Sequence, residues 1–318
     1  VTTLAAFFEV SPTVIATCTA GIVLFVIGAS AAKGDIAGTR GLDRIAALSH
    51  LCFAVPLAVF GAEHLFGPQL MVRLVPVYMP GRMFWVYFVG CALIGASLSI
   101  ATKTWVRWSG LLFGLMMFAF VAMIHLPGAL ASGDDRIIWT IVFRETSFGG
   151  AGLVFAATAA SGWRGPFRSA LIAAGRISIA IAVLLFGVEH FLHPTGLPGV
   201  PLPKQMPAWI PARMFIDYVT GAALLVAGGS FLLARKTRTV AASVGGWILL
   251  MVLVIYGPVL IGALLQPGTA TKVEGINYFA DTLLFAGTIL SLASPSLPIS
   301  VGVARHDASD SRSRAVSR

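Results

Sequence analysis

Charge is scarce in this sequence: Asp, Glu, Lys and Arg make up 11% of the 318 residues, whereas hydrophobic residues make up 57%. So apolar a chain has too little polar surface to cover itself in water, which excludes an ordinary soluble domain and makes a membrane its natural solvent. Acidic residues are the scarcer sign, 13 against 22 basic ones. The positive surplus is scattered between apolar runs rather than gathered on one polar face, which excludes nucleic acid as a partner. Cysteine is scarce as well. Cys18, Cys52 and Cys91 all lie in apolar segments without a CxxC pair, so neither a disulfide framework nor a dithiol redox centre is supported. No Walker loop, dinucleotide fingerprint, HExxH pair or nucleophile elbow occurs, and the loops are too short for a soluble catalytic domain. The sequence leaves open whether the protein is an enzyme.

What is abundant is apolar sequence in long runs. Crossing a hydrocarbon core of ~30 Å takes roughly 20 helical residues at ~1.5 Å each. About nine stretches qualify, near 12–32, 44–66, 82–101, 105–130, 137–161, 169–192, 213–234, 240–265 and 276–292. The expected fold class is therefore an all-α integral membrane protein of about nine transmembrane helices. No positive charge precedes the first stretch, and Lys33, Arg40 and Arg44 follow it, so it reads as a helix with its N-terminus outside and not as a cleaved leader. Lys33, Arg40, Arg44, Lys103, Arg107, Arg164, Arg168, Arg235, Lys236, Arg238 and the tail arginines 305, 312, 314 and 318 fall on one side. Only Arg73, Arg82, Arg136, Lys204, Arg213 and Lys272 fall on the other, which places the C-terminus in the cytoplasm. From about Ser294 the chain turns to Ser, Arg and Asp, so 295–318 is expected to be a disordered tail.

An internal repeat is the strongest signal. The segment Phe60-Gly61-Ala62-Glu63-His64-Leu65-Phe66-Gly67-Pro68 recurs as Phe186-Gly187-Val188-Glu189-His190-Phe191-Leu192-His193-Pro194, an offset of 126 from 61 to 187. Pro76 to Phe84, with Pro80, Arg82 and Met83, recurs as Pro207 to Phe215, with Pro211, Arg213 and Met214, an offset of 131 from 76 to 207. Tyr87 and Gly90 stand over Tyr218 and Gly221, Pro127 over Pro258, and Glu145-Thr146 over Asp281-Thr282. These matches divide the chain into an N-terminal helix (1–36), two four-helix units (37–163 and 164–294) and the tail (295–318). An even number of crossings separates the units, so they share one orientation and are related by an axis along the membrane normal.

A Gly-x-x-His-Phe ending one helix, a Pro-x-x-x-Pro connection, a Tyr-x-x-Gly entering the next helix and an acidic residue in the fourth together resemble the DoxX and DoxX-like membrane families, here in tandem over 44–292. The resemblance implies four-helix membrane units in a bacterial inner membrane. It also implies association with membrane oxidoreductase systems, including quinone-linked ones, so a quinone or a redox partner protein enters as a candidate. The sequence departs from the family in placing Glu before His in both copies and in holding two units in one chain.

The repeated ionisable residues all fall in the outer half of the membrane. Glu63, His64, Glu189 and His190 lie in last turns, Arg82 and Arg213 open returning helices, and His125 precedes an exit by about one turn. Arg144 and Glu145 sit about eight residues into their helix, or ~12 Å, and Asp281 is comparably shallow. Such groups face a bundle interior, pair, or meet water. One reading is a structural clasp in which Glu63 and Glu145 neutralise Arg82 and Arg144. The other is a polar pocket in each unit, formed with Tyr256 and Asp217 in the second, where Glu189, Asp217 and Asp281 face only Arg213 and His190. The proline-broken apolar connections, 67–81 and 194–212, read either as lids over these pockets or as interfacial anchors, with Tyr78 and Trp209 at head-group depth.

Haem is disfavoured. His50 and His64 share a helix face, but the facing helices offer only His125 in place of a second pair, and His190 has no counterpart of His50. No metal site is expected. The glycine-rich stretches 110–114 and 149–152 fit close helix packing. Three classes of function stay open: a subunit of a quinone-linked redox system, a transporter or small-molecule binder, and a scaffold without chemistry.

Overall fold

The computed structural model describes residues 11–160 and 162–294; the expected tail and its four arginines lie outside them. Ser11 accepts from the Val14 N–H, and Pro12 occupies the first turn of the helix that follows, α1 (Pro12–Gly38). The short α2 (Leu42–Ala46) leads into α3 (Ser49–Phe66). After a one-turn α4 (Pro68–Met71) come α5 (Arg82–Ala101), α6 (Val106–Phe120), α7 (Leu126–Ser132) and α8 (Arg136–Ala159). The second half comprises α9 (Gly165–Leu192), α10 (Arg213–Leu232), α11 (Thr237–Met251), α12 (Gly257–Leu264) and α13 (Thr269–Ser291). Among the described residues there is no strand, only an isolated bridge between Gly196 and Gln205.

Among the described residues, seven helical segments are long and apolar enough to cross a membrane: Pro12–Gly38, Leu42–Phe66, Arg82–Ala101, Val106–Ser132, Gly165–Leu192, Arg213–Leu232 and Thr237–Leu264. This is the composition of a multi-pass membrane protein, with two fewer such segments than expected. The stretches expected at 137–161 and 276–292 are helices of 24 and 23 residues, but α8 carries Arg136, Arg144 and Glu145, and α13 carries Lys272, Glu274 and Asp281. Their packing explains the difference. α8 is enclosed by α6, α9 and α13, and every residue from Ser147 to Ala157 is buried; α13 is enclosed by α3, α11, α12 and α8. A helix wrapped on all sides meets protein and not lipid, so it tolerates polar residues that a lipid-facing helix would not.

Backbone details recur 131 residues apart. α6 passes into α7 through a π-helical turn at Val121–His125, and α11 into α12 through one at Val252–Tyr256. Pro127 and Pro258 follow these turns. Proline lacks an N–H and crowds the carbonyl four residues back, and a widened turn accommodates both defects. Left-handed residues recur likewise at Gly81 and Ala212, Lys103 and Ala234, and Trp105 and Lys236. Packing follows the same pattern. α3 lies on α5 as α9 lies on α10, α6 lies on α8 as α11 lies on α13, and the two sets meet through α8–α9, α13–α3 and α8–α13. Glycine permits the closest approach: a Cβ at Gly287 on α13 would lie 2.6 Å from the Phe53 backbone nitrogen on α3.

Candidate functional site

Among the described residues, two clusters of ionisable groups stand out in the apolar interior. The first lies where α3, α8 and α13 meet. Arg144 Nη1 donates to Asp281 Oδ2 at 2.8 Å, and its Nε and Nη2 donate to Glu145 Oε1 at 3.0 and 2.6 Å. One turn before Asp281 on the same face of α13, Asn277 Nδ2 donates to Glu63 Oε1 at 3.2 Å. His125, half-buried at the end of its π-helical turn, lies within reach of the charges of Glu145 and Arg144. The cluster thus takes its cation from the first half of the chain and one of its anions from the second.

This arrangement corrects two expectations. Glu63 does not neutralise Arg82, because it faces α13. Arg82 instead reaches back along its own connection and donates to the carbonyls of Val72 (2.5 Å) and Val75 (2.9 Å), which the proline-broken backbone leaves without other donors. Asp281 does not belong to a pocket of the second unit, because Arg144 holds it at the junction.

The second cluster surrounds a narrow cleft, with room for about one water, lined by Arg136, Glu189, His190, His193, Asp217 and the connection at Gly196, Leu197, Pro201 and Leu202. Arg136 opens α8 and donates through Nη1 to Glu189 Oε2 at 3.1 Å and to the Pro201 carbonyl at 3.3 Å. His193, one turn beyond Glu189, places Nε2 3.7 Å from the same carboxylate. His190 is fully committed. Its Nδ1 lies 2.6 Å from the Phe186 carbonyl, which can only accept, and its Nε2 receives the Gly199 N–H at 3.0 Å. The ring is therefore the neutral tautomer with its hydrogen on Nδ1. His64 repeats the first of these bonds, to the Phe60 carbonyl at 2.8 Å.

Asp217 is weakly satisfied. It is 1% exposed, its Oδ1 stands 3.6 Å from His190 Nε2, which carries no hydrogen, and neither carboxyl oxygen makes a hydrogen bond of good geometry, the Gly196 backbone N–H being the one donor close enough to act on it. Buried polar groups are almost always satisfied, so this carboxyl stands out as the least satisfied acidic group on the wall of the cleft. The first half of the chain offers no equivalent, for the residue 131 positions earlier is Val86.

The two connections also differ. In 194–212, Leu197, Val200, Met206 and Ile210 are buried and the segment is tied down from several helices. Tyr256 donates to the Pro198 carbonyl at 3.0 Å, Tyr278 accepts from the Lys204 N–H at 3.2 Å, Lys204 meets Glu274 at 3.0 Å, and Arg213 donates to the Met206 carbonyl at 3.3 Å. Gly199, at φ +115°, takes a conformation other residues rarely adopt and so brings its N–H to His190. This segment is a cover over the cleft. Connection 67–81, by contrast, leaves Leu74, Val77 and Tyr78 exposed and is held mainly to the start of α5. Trp209 is exposed too.

Arg136, His193, Gly199 and Asn277 were not singled out from the sequence. Asn277 was the most accessible, four residues from Asp281 and so on its helix face. Among the described residues no group of His, Cys, Asp and Glu has the arrangement to hold a metal ion. His50 packs edge-on against Phe155 at 4.9 Å, well away from His64 at the other end of α3. Compared with protein-family models, curated proteins and solved structures, the chain matches none.

Proposed function

We propose that this is a DoxX-like protein of a bacterial inner membrane, two related four-helix units behind one further helix, that binds a small hydrogen-bond-donating molecule at Asp217. The under-satisfied Asp217 carboxyl on the wall of the cleft carries this reading. An acceptor with no internal donor of good geometry is matched by a hydroxyl or ammonium group on a ligand, with Arg136 and His193 on the same wall to orient it. The recurring π-helical turns and left-handed residues support the duplication, and the enclosure of α8 and α13 supports counting them as the eighth and ninth crossings. Orientation follows the basic residues: Lys103 and Arg238 pair with Asp35 and Asp43 at the end where Lys33, Arg40 and Arg164 also lie, and that end faces the cytoplasm.

Quinol is the ligand the DoxX resemblance favours, since it offers hydroxyl donors on a head group with an apolar tail. In that case the protein serves as a quinol-binding subunit whose redox partner takes the electrons. The covered cleft has room for about one water, so the 194–212 cover must lift for a head group to enter. Binding of a short-chain ubiquinol to the protein in lipid nanodiscs tests this. Loss of a hydrogen bond to a charged group is worth about 1.5–3 kcal/mol, so Asp217→Val is expected to weaken binding by at least tenfold without loss of fold. Undiminished binding by that variant removes Asp217 from the site. Absence of quinol binding by the parent protein moves the search to small alcohols and amines, with uptake into vesicles as the readout.

A further inference from the structure

The opposite end of the bundle carries a second cluster that the cleft does not involve. Trp108 near the start of α6 and Trp163 just before α9 meet edge-to-face at 5.9 Å, and Phe167 continues the ladder from Trp163 at 5.3 Å. Arg107 lies over the Trp108 ring at 5.4 Å, and Arg164 adjoins Trp163 in sequence. Both arginines are exposed and neither has an acidic partner among the described residues. Such partners are in use: Asp35 holds Lys103, and Asp43 holds Arg238 at 2.7 Å. Below the ladder, Trp108, Leu112 and Leu115 stand exposed at spacings of four and three residues, a continuous apolar stripe down one face of α6. The order from the helix end inward is therefore unpaired guanidinium, amphipathic ring, apolar stripe. That is the profile of a phospholipid lying along the protein, with phosphate, glycerol and acyl chain in sequence.

We propose that Arg107, Arg164, Trp108 and Trp163 form a binding site for one anionic phospholipid, its phosphodiester between the two guanidinium groups and an acyl chain along the α6 stripe. Charge complementarity selects an anionic over a zwitterionic lipid, because the arginines offer two positive charges and no neighbouring acid to pair with a choline or ethanolamine group. The site is independent of the reading of Asp217. Native mass spectrometry of the intact protein released from mild detergent, titrated with phosphatidylglycerol or phosphatidylcholine, tests it.

The parent protein is expected to retain one phosphatidylglycerol in preference to phosphatidylcholine. The double variant Arg107→Gln, Arg164→Gln should hold it about thirtyfold more weakly, about fivefold for each charge, with phosphatidylcholine retention unchanged. A control, Lys33→Gln with Lys236→Gln, removes two charges from the same end and should leave retention intact. Equal losses in control and test variants would reduce the effect to general surface charge and overturn the site. So would displacement of the lipid by millimolar inorganic phosphate, which would indicate a site for a free anion. Should the glutamine variant lose its thermal transition, Trp163→Leu provides the second test: retention at the parent level would overturn the proposal.

Discussion

His190 and Asp217 stand side by side, yet only one of them is finished by the fold. The histidine was legible because its motif occurs twice and because the Phe186 carbonyl that receives it lies four residues back on the same helix. The isolation of Asp217 was not legible, since it depends on the Gly199 N–H turning to His190 and not to the carboxyl. Asp217→Val, which supplies the residue present at the equivalent position of the first half, removes a buried unsatisfied group. It is expected to raise stability by about 1–3 kcal/mol, visible as an increased Tm in detergent, even as it weakens ligand binding. Arg144 makes the opposite case. Arg144→Leu leaves Glu145 and Asp281 buried without their cation and should cost about 3–5 kcal/mol, read in the same thermal scan. A variant as stable as the parent would show that the ion pairs add nothing to the junction.

At the scale of elements, the π-helical turns show how a pattern can be visible and its geometry not. Pro127 and Pro258 stand at matching places in the sequence, but a proline in a helix can yield a kink, a break or a widened turn, and the neighbours decide which. Here the turn ending at Tyr256 presents its hydroxyl to Pro198 of the cover, whereas the side chain of His125 at the same point of the first half makes no hydrogen bond among the described residues. The two connections differ accordingly, one tucked in and one exposed: 67–81 carries Pro68, Pro76 and Pro80, whereas 194–212 adds Pro198, Pro201 and Pro203 within its buried stretch. Tyr256→Phe is expected to speed hydrogen exchange of amides in 196–206 by about two- to tenfold, the equivalent of one modest hydrogen bond, while amides within α3 and α5 keep their rates. Unchanged exchange would mean that Lys204 and Arg213 hold the cover without help.

For the whole molecule, the apolar runs told where helices stand but not which of them meet lipid. α8 and α13 look like ordinary spans in sequence; that they form the enclosed middle is a property of packing, for which the clue was their own charge. Gly287→Leu, placed where α13 touches the α3 backbone, should separate the two halves and lower stability by about 1–3 kcal/mol or more without touching an ionisable residue. In a background free of the native cysteines, a cysteine at Gly162 is expected to react with an impermeant thiol reagent only from the cytoplasmic side, and one at Gly133 only from outside. The reverse pattern would invert the orientation.

The Arg144 tie also bears on how the chain is made. Its acidic partner on α13 lies 137 residues downstream, which at ~5–20 residues per second separates their synthesis by roughly 7 to 27 s. Through that interval Glu145 is the only acidic side chain that the structure bonds to Arg144, so the junction of the two halves is completed only once α13 has been made.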